Sequence, residues 1–97
     1  MTPMNSSHEI FVFGNQPLPC AINNLEDSVF ARIEGIGDVT GSSCELNGWN
    51  LNIEFDRPIS FIAIIHAVLE SLHEFQIDVQ SVTASVGGRR HKLVDLL

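Results

Sequence analysis

The stretch ISFIAIIHAVLESLHEF, residues 59–75, is the most apolar segment of the chain. Its large apolar side chains recur at positions 61, 62, 64, 65, 68, 69, 72 and 75, a spacing that predicts one long core helix. Asp56 can cap this helix, and Pro58 is tolerated in its first turn. The side of the helix that we expect to face solvent consists of Ser60, Ala67, Glu70, Ser71 and Glu74.

Two segments that precede this helix predict a strand and a second helix. The continuous apolar run Ile10–Phe13 is followed by Gly14 and Asn15, which is typical of a central strand buried on both faces. Asn23 or Asn24 can cap the second helix. Its apolar positions are Leu25, Val29, Ile33 and Ile36. Gly35 or Gly37 is expected to end it.

A β-hairpin is predicted between these two helices. Asn47-Gly48 suits a type I′ turn, and it separates the segments Asp38–Leu46 and Trp49–Phe55. Apolar and polar residues alternate strictly in the second segment, which predicts one buried and one polar face. The alternation slips in the first segment across Gly41-Ser42, as a β-bulge requires.

The end of the chain predicts two more strands. Ile77–Val86 and Arg89–Leu96 flank Gly87-Gly88, a two-residue turn. The whole order predicts an α+β fold of the ferredoxin-like split βαβ type, βαββαβ with an extra C-terminal strand. We expect a single domain, residues 1–97, with an antiparallel sheet, two helices on one face and a flexible segment at residues 1–8.

Charge and cysteine content narrow the class of protein. Twelve acidic residues against five basic ones give a net charge of −7, which argues against binding to nucleic acid or to an anionic membrane. The apolar run is too short for a membrane span of about 20 residues. Cys20 and Cys44 fit no zinc spacing, and the sequence before residue 8 has no secretory signal, so we predict a cytoplasmic protein with free thiols.

One set of residues has a spacing that suits metal binding. His66, Glu70 and His73 would project from one side of the core helix and could ligate a zinc-like ion. An ordinary solvated helix edge explains the same pattern, and it is the interpretation we favour, because the chain offers no second ligand cluster. The sequence therefore predicts neither a metal nor another cofactor.

Candidate catalytic groups are equally generic. Glu54 and Asp56 share the polar face of one strand. A catalytic pair of carboxyl groups needs environments that push their two pKa values apart, and the sequence indicates no such environments here. Cys44 has no local nucleophile signature. Gly35 and Gly37 follow a helix instead of opening one, which argues against a phosphate-binding loop. We predict a protein that is not an enzyme.

Three segments carry a resemblance to a group of known proteins. LEDSVFARIEGIGDVTGS (25–42), NGWNLNIEF (47–55) and VTASVGGRRHKLVDL (82–96), together with the apolar helix, resemble small acidic bacterial proteins, most of them uncharacterised. Some acidic proteins of this size are immunity proteins or other inhibitors that neutralise a basic enzyme. The resemblance implies no catalytic residue for this chain.

These observations lead to two hypotheses of function. The first is a cytoplasmic, non-enzymatic immunity or inhibitor protein that neutralises a basic toxin or enzyme through an acidic sheet face. The second is a homodimeric regulatory module or a module that binds a small ligand. For the first hypothesis, the expected partner-binding residues are Glu45, Asn50, Asn52, Glu54 and Asp56.

Overall fold

A computed structural model describes residues 8–97, which form an α+β fold with two α-helices and one antiparallel sheet of five strands. In chain order the elements are β1 (His8–Gly14), α1 (Ile22–Ile33), β2 (Gly37–Glu45), β3 (Gly48–Phe55), α2 (Phe61–Glu74), β4 (Val82–Val86) and β5 (Arg89–Lys92). The strand order is β2-β3-β1-β4-β5. Residues 1–7 of the predicted flexible segment lie outside the described part, whereas His8 belongs to β1.

Alternate residues of the inner strands build one side of the core. In β3 the buried residues are Trp49, Leu51, Ile53 and Phe55, as the alternation predicts. They belong to a single cluster with buried residues of both helices. Within residues 8–97, the strands and both helices therefore contribute to one hydrophobic core.

β1 is central, as predicted, because it pairs with β3 on one side and β4 on the other. Ile10 and Val12 are fully buried, but Phe11 is 39% exposed and Phe13 is only partly buried. The prediction that both faces of this strand are covered is therefore wrong. Adjacent side chains of a strand point to opposite faces, and a continuous apolar run conceals which of them meets solvent.

The core helix begins later than predicted. Pro58–Ser60 form a short 3-10 turn, and α2 starts at Phe61 without a side-chain cap, so the predicted cap from Asp56 is wrong. Ile59 is 86% exposed. The five large apolar residues in the middle of α2 are buried, as expected: Ile64, Ile65, Val68, Leu69 and Leu72.

The predicted solvent side of this helix needs a correction. Ser60, Ala67 and Ser71 are buried. α1 packs against α2, and Ser28 Oγ of α1 lies within hydrogen-bond distance of Ser71 Oγ, at 2.9 Å. Small side chains on α2 therefore mark a helix contact, because they allow two helices to approach closely. Glu70 and Glu74 are exposed, as predicted.

In contrast to α2, α1 starts earlier than predicted. Ala21 is its N-cap residue and makes no side-chain capping bond, so the predicted asparagine cap is wrong. Its predicted core positions Leu25, Val29 and Ile33 are buried. Ile36 lies beyond the helix and is 37% exposed. Gly35 has φ +89°, which confirms the predicted glycine helix stop.

The β2–β3 hairpin and its bulge are confirmed, but the predicted turn is wrong. The register shifts between Val39 and Gly41, close to the predicted bulge. Glu45 pairs with Gly48, so the two turn residues are 46 and 47, and Gly48 lies in the strand. A Cβ atom on Gly48 would lie 2.9 Å from the Gly14 carbonyl oxygen. Close contact between strands therefore explains this glycine better than turn conformation.

The C-terminal hairpin forms as predicted, with shorter strands. Gly87 and Gly88 have φ values of +59° and +81°, as a two-residue turn of this kind requires. β4 begins at Val82 because Val79–Ser81 form a 3-10 turn. β5 ends at Lys92, and buried Leu93 begins another 3-10 turn.

Candidate functional site

The strand register brings together three carboxylates on the side of the sheet that faces away from the core. We call this side the open face. Glu54 of β3 stands directly opposite Glu9 of β1 and directly opposite Asp38 of β2. Neighbouring strands lie about 4.8 Å apart, and directly opposed residues point to the same face. Asp38, Glu54 and Glu9 therefore form one line across the sheet, the carboxylate row.

The centre of the open face is aromatic. Phe11 lies between Asn52 and Ser85 in the register, and Phe13 lies between Asn50 and Thr83. At the far edge, the guanidinium carbon of Arg90 lies 4.1 Å from the centroid of the Phe13 ring. The open face thus carries acids on β2, β3 and β1, two phenylalanines on β1 and basic residues on β5.

All five predicted partner-binding residues lie on this surface or next to it, although Glu45 stands apart from the other four. Asn50, Asn52 and Glu54 share the open face, and Asp56 follows directly after β3. Asn50 Nδ2 donates a hydrogen bond to Ser43 Oγ at 2.7 Å. Asn52 Oδ1 is buried and accepts no hydrogen bond from the described residues. Glu45 is exposed at the hairpin end of β2, the opposite end of that strand from the carboxylate row.

Asp38, Glu9, Phe11 and Phe13 also belong to this surface, and none of them was among the predicted partner-binding residues. Asp38 meets Glu54 only through the β2–β3 register. Phe11 and Phe13 were assigned to the core, because an apolar run has no visible period. Glu9 carried no signal of its own, since only the β1–β3 register places it opposite Glu54. The strict alternation in β3 was the available signal, and it located Asn50, Asn52 and Glu54.

A groove lies at the end of the sheet where β1 begins. Its volume is about 780 Å³. The residues that line it come from β1, the end of β3, the start of α2 and the β4–β5 turn: His8, Glu9, Phe11, Phe55, Pro58, Phe61, Ser85, Val86, Gly87 and Gly88. Ring centroids of His8 and Phe55 are 5.3 Å apart, and those of Phe55 and Phe61 are 6.3 Å apart. We call it the aromatic groove.

A second, more polar depression adjoins the carboxylate row. Its volume is about 630 Å³, and its lining includes Asp38, Glu54 and Asp56. Exposed Ile59 and Ile36 also line it. The acidic surface therefore continues from the sheet toward the start of α2.

The three candidate metal ligands on α2 are exposed, and one of them, Glu70, forms an ion pair with α1. His66 and His73 are exposed, and Glu70 Oε1 lies 3.6 Å from Arg32 Nε of α1. Within residues 8–97, no group of three or more histidine, cysteine, aspartate or glutamate side chains is arranged to hold a metal ion. The ion pair gives Glu70 a structural explanation.

The two helices are joined by a polar cluster around Arg32. Its Nη1 donates hydrogen bonds to Glu74 Oε1 at 2.9 Å and to Ser71 Oγ at 3.1 Å. Ser28 Oγ lies 2.6 Å from the same Glu74 oxygen. The hydrogen bond from Ser28, followed by that from Arg32, lowers the pKa of Glu74. This cluster fastens α1 to α2.

Cys20 does not have the environment of an activated nucleophile. Both thiols are free. Burial raises the pKa of Cys20, and the neighbouring Cys44 raises it further. A catalytic thiol requires a lowered pKa, because the thiolate is the reactive form.

Comparisons with known proteins leave the resemblance to acidic bacterial proteins as an expectation. No protein-family model matches the chain, and no curated protein or solved structure matches it either.

In the described part of the chain, neither helix combines the length and the apolar character that crossing a membrane requires.

Proposed function

We propose that this chain is a non-enzymatic protein that binds a basic protein partner through the open face of its sheet. More concretely, we propose a cytoplasmic inhibitor or immunity protein that neutralises a basic toxin or enzyme. The observation that carries the proposal is the carboxylate row, which stands beside two incompletely buried phenylalanines. The open face thus combines a negative region with an apolar centre.

The fold that we propose is the ferredoxin-like split βαβ sandwich with an added edge strand. The order β2-β3-β1-β4 and the antiparallel pairing of every neighbour support this assignment. Buried residues of both helices share one core cluster with the inward residues of the strands, which supports placing both helices on one face. Such an arrangement leaves the opposite face free to bind a partner.

The charge arrangement supports a basic partner. Like charges that stand directly opposite each other on neighbouring strands destabilise a sheet. The carboxylate row places Glu54 between two such neighbours, in a protein whose net charge is already −7. A cationic surface would neutralise this repulsion, and complementary charge also speeds association.

The apolar centre supports a protein partner over a simple cation. Protein interfaces combine a central group of aromatic or arginine anchors with a polar rim. Phe11 and Phe13 occupy the central strand, while Asn50 and Asn52 flank them. These features support binding more than catalysis.

Association kinetics test the proposal. Basic proteins that the immobilised chain retains at low ionic strength would first be identified and purified. The rate at which each of them associates with the chain would then be measured by stopped flow. We expect the rate to fall at least tenfold between about 25 mM and about 300 mM salt, since steering is screened. Asp38→Lys, Glu54→Lys and Asp56→Lys should each lower it several-fold at low salt.

Asp95→Lys is the matched control, because it makes the same change in net charge at an exposed position of the C-terminal 3-10 turn. It should reduce the association rate much less than the three open-face variants. A rate that does not respond to salt, or an equal effect of the control, would contradict the proposal.

The exposure of Phe11 also favours a second candidate, a homodimeric regulatory module or a module that binds a small ligand. Two copies could bury their aromatic centres against each other, and the aromatic groove could hold a ligand. Sedimentation equilibrium and native mass spectrometry separate the candidates. This alternative requires a stable dimer or a retained small molecule, whereas the first proposal requires neither.

A further inference from the structure

The aromatic groove exists because β1 extends beyond the end of β4. His8 and Glu9 pair with β3, but pairing between β1 and β4 starts only at Ile10. β4 ends at Val86, opposite Ile10, and the Gly87-Gly88 turn follows. The groove lies beside the unmatched start of β1. Its volume of about 780 Å³ is within the range of ordinary ligand sites.

The lining of the groove has the chemistry of a site for an organic cation that can stack on aromatic rings. Three phenylalanines contribute to it, and Glu9 is the one carboxylate among the described lining residues, which include no lysine or arginine. The face of an aromatic ring attracts a cation, and the attraction grows where water is excluded. Glu9 also belongs to the carboxylate row, so the groove is continuous with the open face.

The open face already contains one guanidinium on a phenylalanine. Arg90 lies over Phe13 at 4.1 Å, and this is the one cation–ring contact found within residues 8–97. Phe11 lies two residues earlier on the same face and is 39% exposed. The ring of Phe13 is in contact with Arg90 of the chain itself. The ring of Phe11, which lies next to Glu9, is exposed and could bind a second guanidinium in the same way.

We infer that the aromatic groove is the anchor site for an arginine side chain of the basic partner. This inference rests on the proposed function and names the group that the partner inserts. The guanidinium stacks on Phe11 and donates hydrogen bonds to the carboxylate of Glu9. Arginine suits the site better than lysine, because its planar group stacks on rings and pairs with a carboxylate through two hydrogen bonds.

Titration of the full chain with a minimal probe tests the anchor. Amide resonances would be followed by NMR while N-acetyl-L-arginine amide is added. A parallel titration would use N-acetyl-L-citrulline amide, which has nearly the same shape without the charge. The resonances of Glu9, Phe11, Gly87 and Gly88 should move with the arginine probe. The citrulline probe should bind about tenfold more weakly.

Two variants and one control assign the binding to the groove. Glu9→Gln and Phe11→Leu should each weaken arginine binding about tenfold. Phe30→Leu is the control, because Phe30 is 42% exposed on α1 and does not line the groove. Glu9 is exposed, so Glu9→Gln tests the anchor even if Phe11→Leu does not fold.

Several results would overturn the inference. These are equal binding of the citrulline probe, resonance changes confined to other surfaces, and unchanged binding in Glu9→Gln. Concentration-dependent changes at the groove without any probe would assign it to a second copy of the chain instead.

Partner kinetics separate the two proposals. If Asp38→Lys slows partner association while Glu9→Gln and Phe11→Leu leave the complex unchanged, the proposed function stands and the anchor is rejected. If salt and Asp38→Lys have no effect on association, the proposed function fails, and the arginine titration still decides what the groove binds.

Discussion

Gly14 is the residue that admits the indole of Trp49 into the core. A Cβ atom at this position would overlap the ring of Trp49, and the two residues stand opposite each other on β1 and β3. Trp49 is 4% exposed, so it has little room to withdraw. The absence of a side chain at residue 14 thus fixes the position of the sole tryptophan in the chain.

We expect Gly14→Ala to lower the free energy of unfolding by about 1–3 kcal/mol, the usual cost of overpacking a core. Urea denaturation followed by Trp49 fluorescence would measure it. Gly41→Ala is the matched control, since a Cβ atom there would meet Asn52 Cβ at an ordinary 3.7 Å. Equal stability of the two variants would show that the indole can move aside.

The elements differ in how far their sequences reveal them. β3 was predicted to within one residue, Gly48, because Trp49, Leu51, Ile53 and Phe55 alternate with polar residues and one face alone is buried. The solvent side of α2 was predicted only in part. Ala67 and Ser71 were assigned to the solvent side, yet both are buried, and Ser71 contacts Ser28 of α1. Contacts between elements decide whether such residues are buried or exposed, and the sequence of one segment does not reveal those contacts.

The candidate site follows the same rule. Asn50, Asn52 and Glu54 could be predicted from their alternation within one strand. Phe11 and Glu9 join them only through the register between β1 and β3, which involves residues more than forty positions apart. The acidic character of the surface was therefore predictable, whereas its aromatic centre and the carboxylate row were not.

The buried face of α2 should carry most of its contribution to stability. Ile65 is fully buried, and Ile62 on the same helix is 46% exposed. We expect Ile65→Asp to unfold the domain, because it loses about 1.5–3 kcal/mol of apolar burial and places a carboxylate in the core. Ile62→Asp should keep the native circular dichroism spectrum and a cooperative melt. If both variants stay folded, the core assignment of α2 is wrong.

The polar cluster between the helices should make stability depend on acid pH. Hydrogen bonds from Ser28 and Arg32 lower the pKa of Glu74 in the folded chain. A carboxyl with a lowered pKa stabilises the fold above its unfolded pKa, and this contribution disappears as the pH falls through the folded pKa. Glu74→Gln should therefore lower the Tm at neutral pH and have a smaller effect in acid.

Thermal melts of both proteins from neutral pH to about pH 3 would measure the difference, since the ordinary glutamate pKa is about 4.3. Glu34→Gln, which changes an exposed residue just after α1, controls for the loss of one surface charge. A Tm difference for Glu74→Gln that stays constant across this pH range would exclude a role for Glu74 ionisation in fastening the helices.

At the scale of the whole molecule, charge and fold oppose each other. A net charge of −7 on 97 residues produces self-repulsion, and the carboxylate row concentrates it on the face that we propose for binding. Binding surfaces commonly retain arrangements that cost stability, because the partner supplies the compensating interaction. The free protein should consequently be less stable than a variant in which this repulsion is removed.

Asp38→Lys tests this opposition directly. The lysine would stand opposite Glu54 and replace a repulsive pair by an attractive one, at the edge of the sheet where lysine is well tolerated. We expect the free energy of unfolding to rise by about 0.5–1 kcal/mol at low salt. The gain should shrink as salt screens the charges.

The same variant should bind the basic partner more slowly, so that stability and association change in opposite directions. Asp95→Lys changes the net charge equally and should stabilise the protein less, because Asp95 lies outside the carboxylate row. Urea denaturation of both variants at low and high salt provides the measurement. If Asp38→Lys were no more stable than Asp95→Lys at low salt, repulsion along the carboxylate row would not destabilise the fold. The proposal that a basic partner relieves this repulsion would then lose its main structural support.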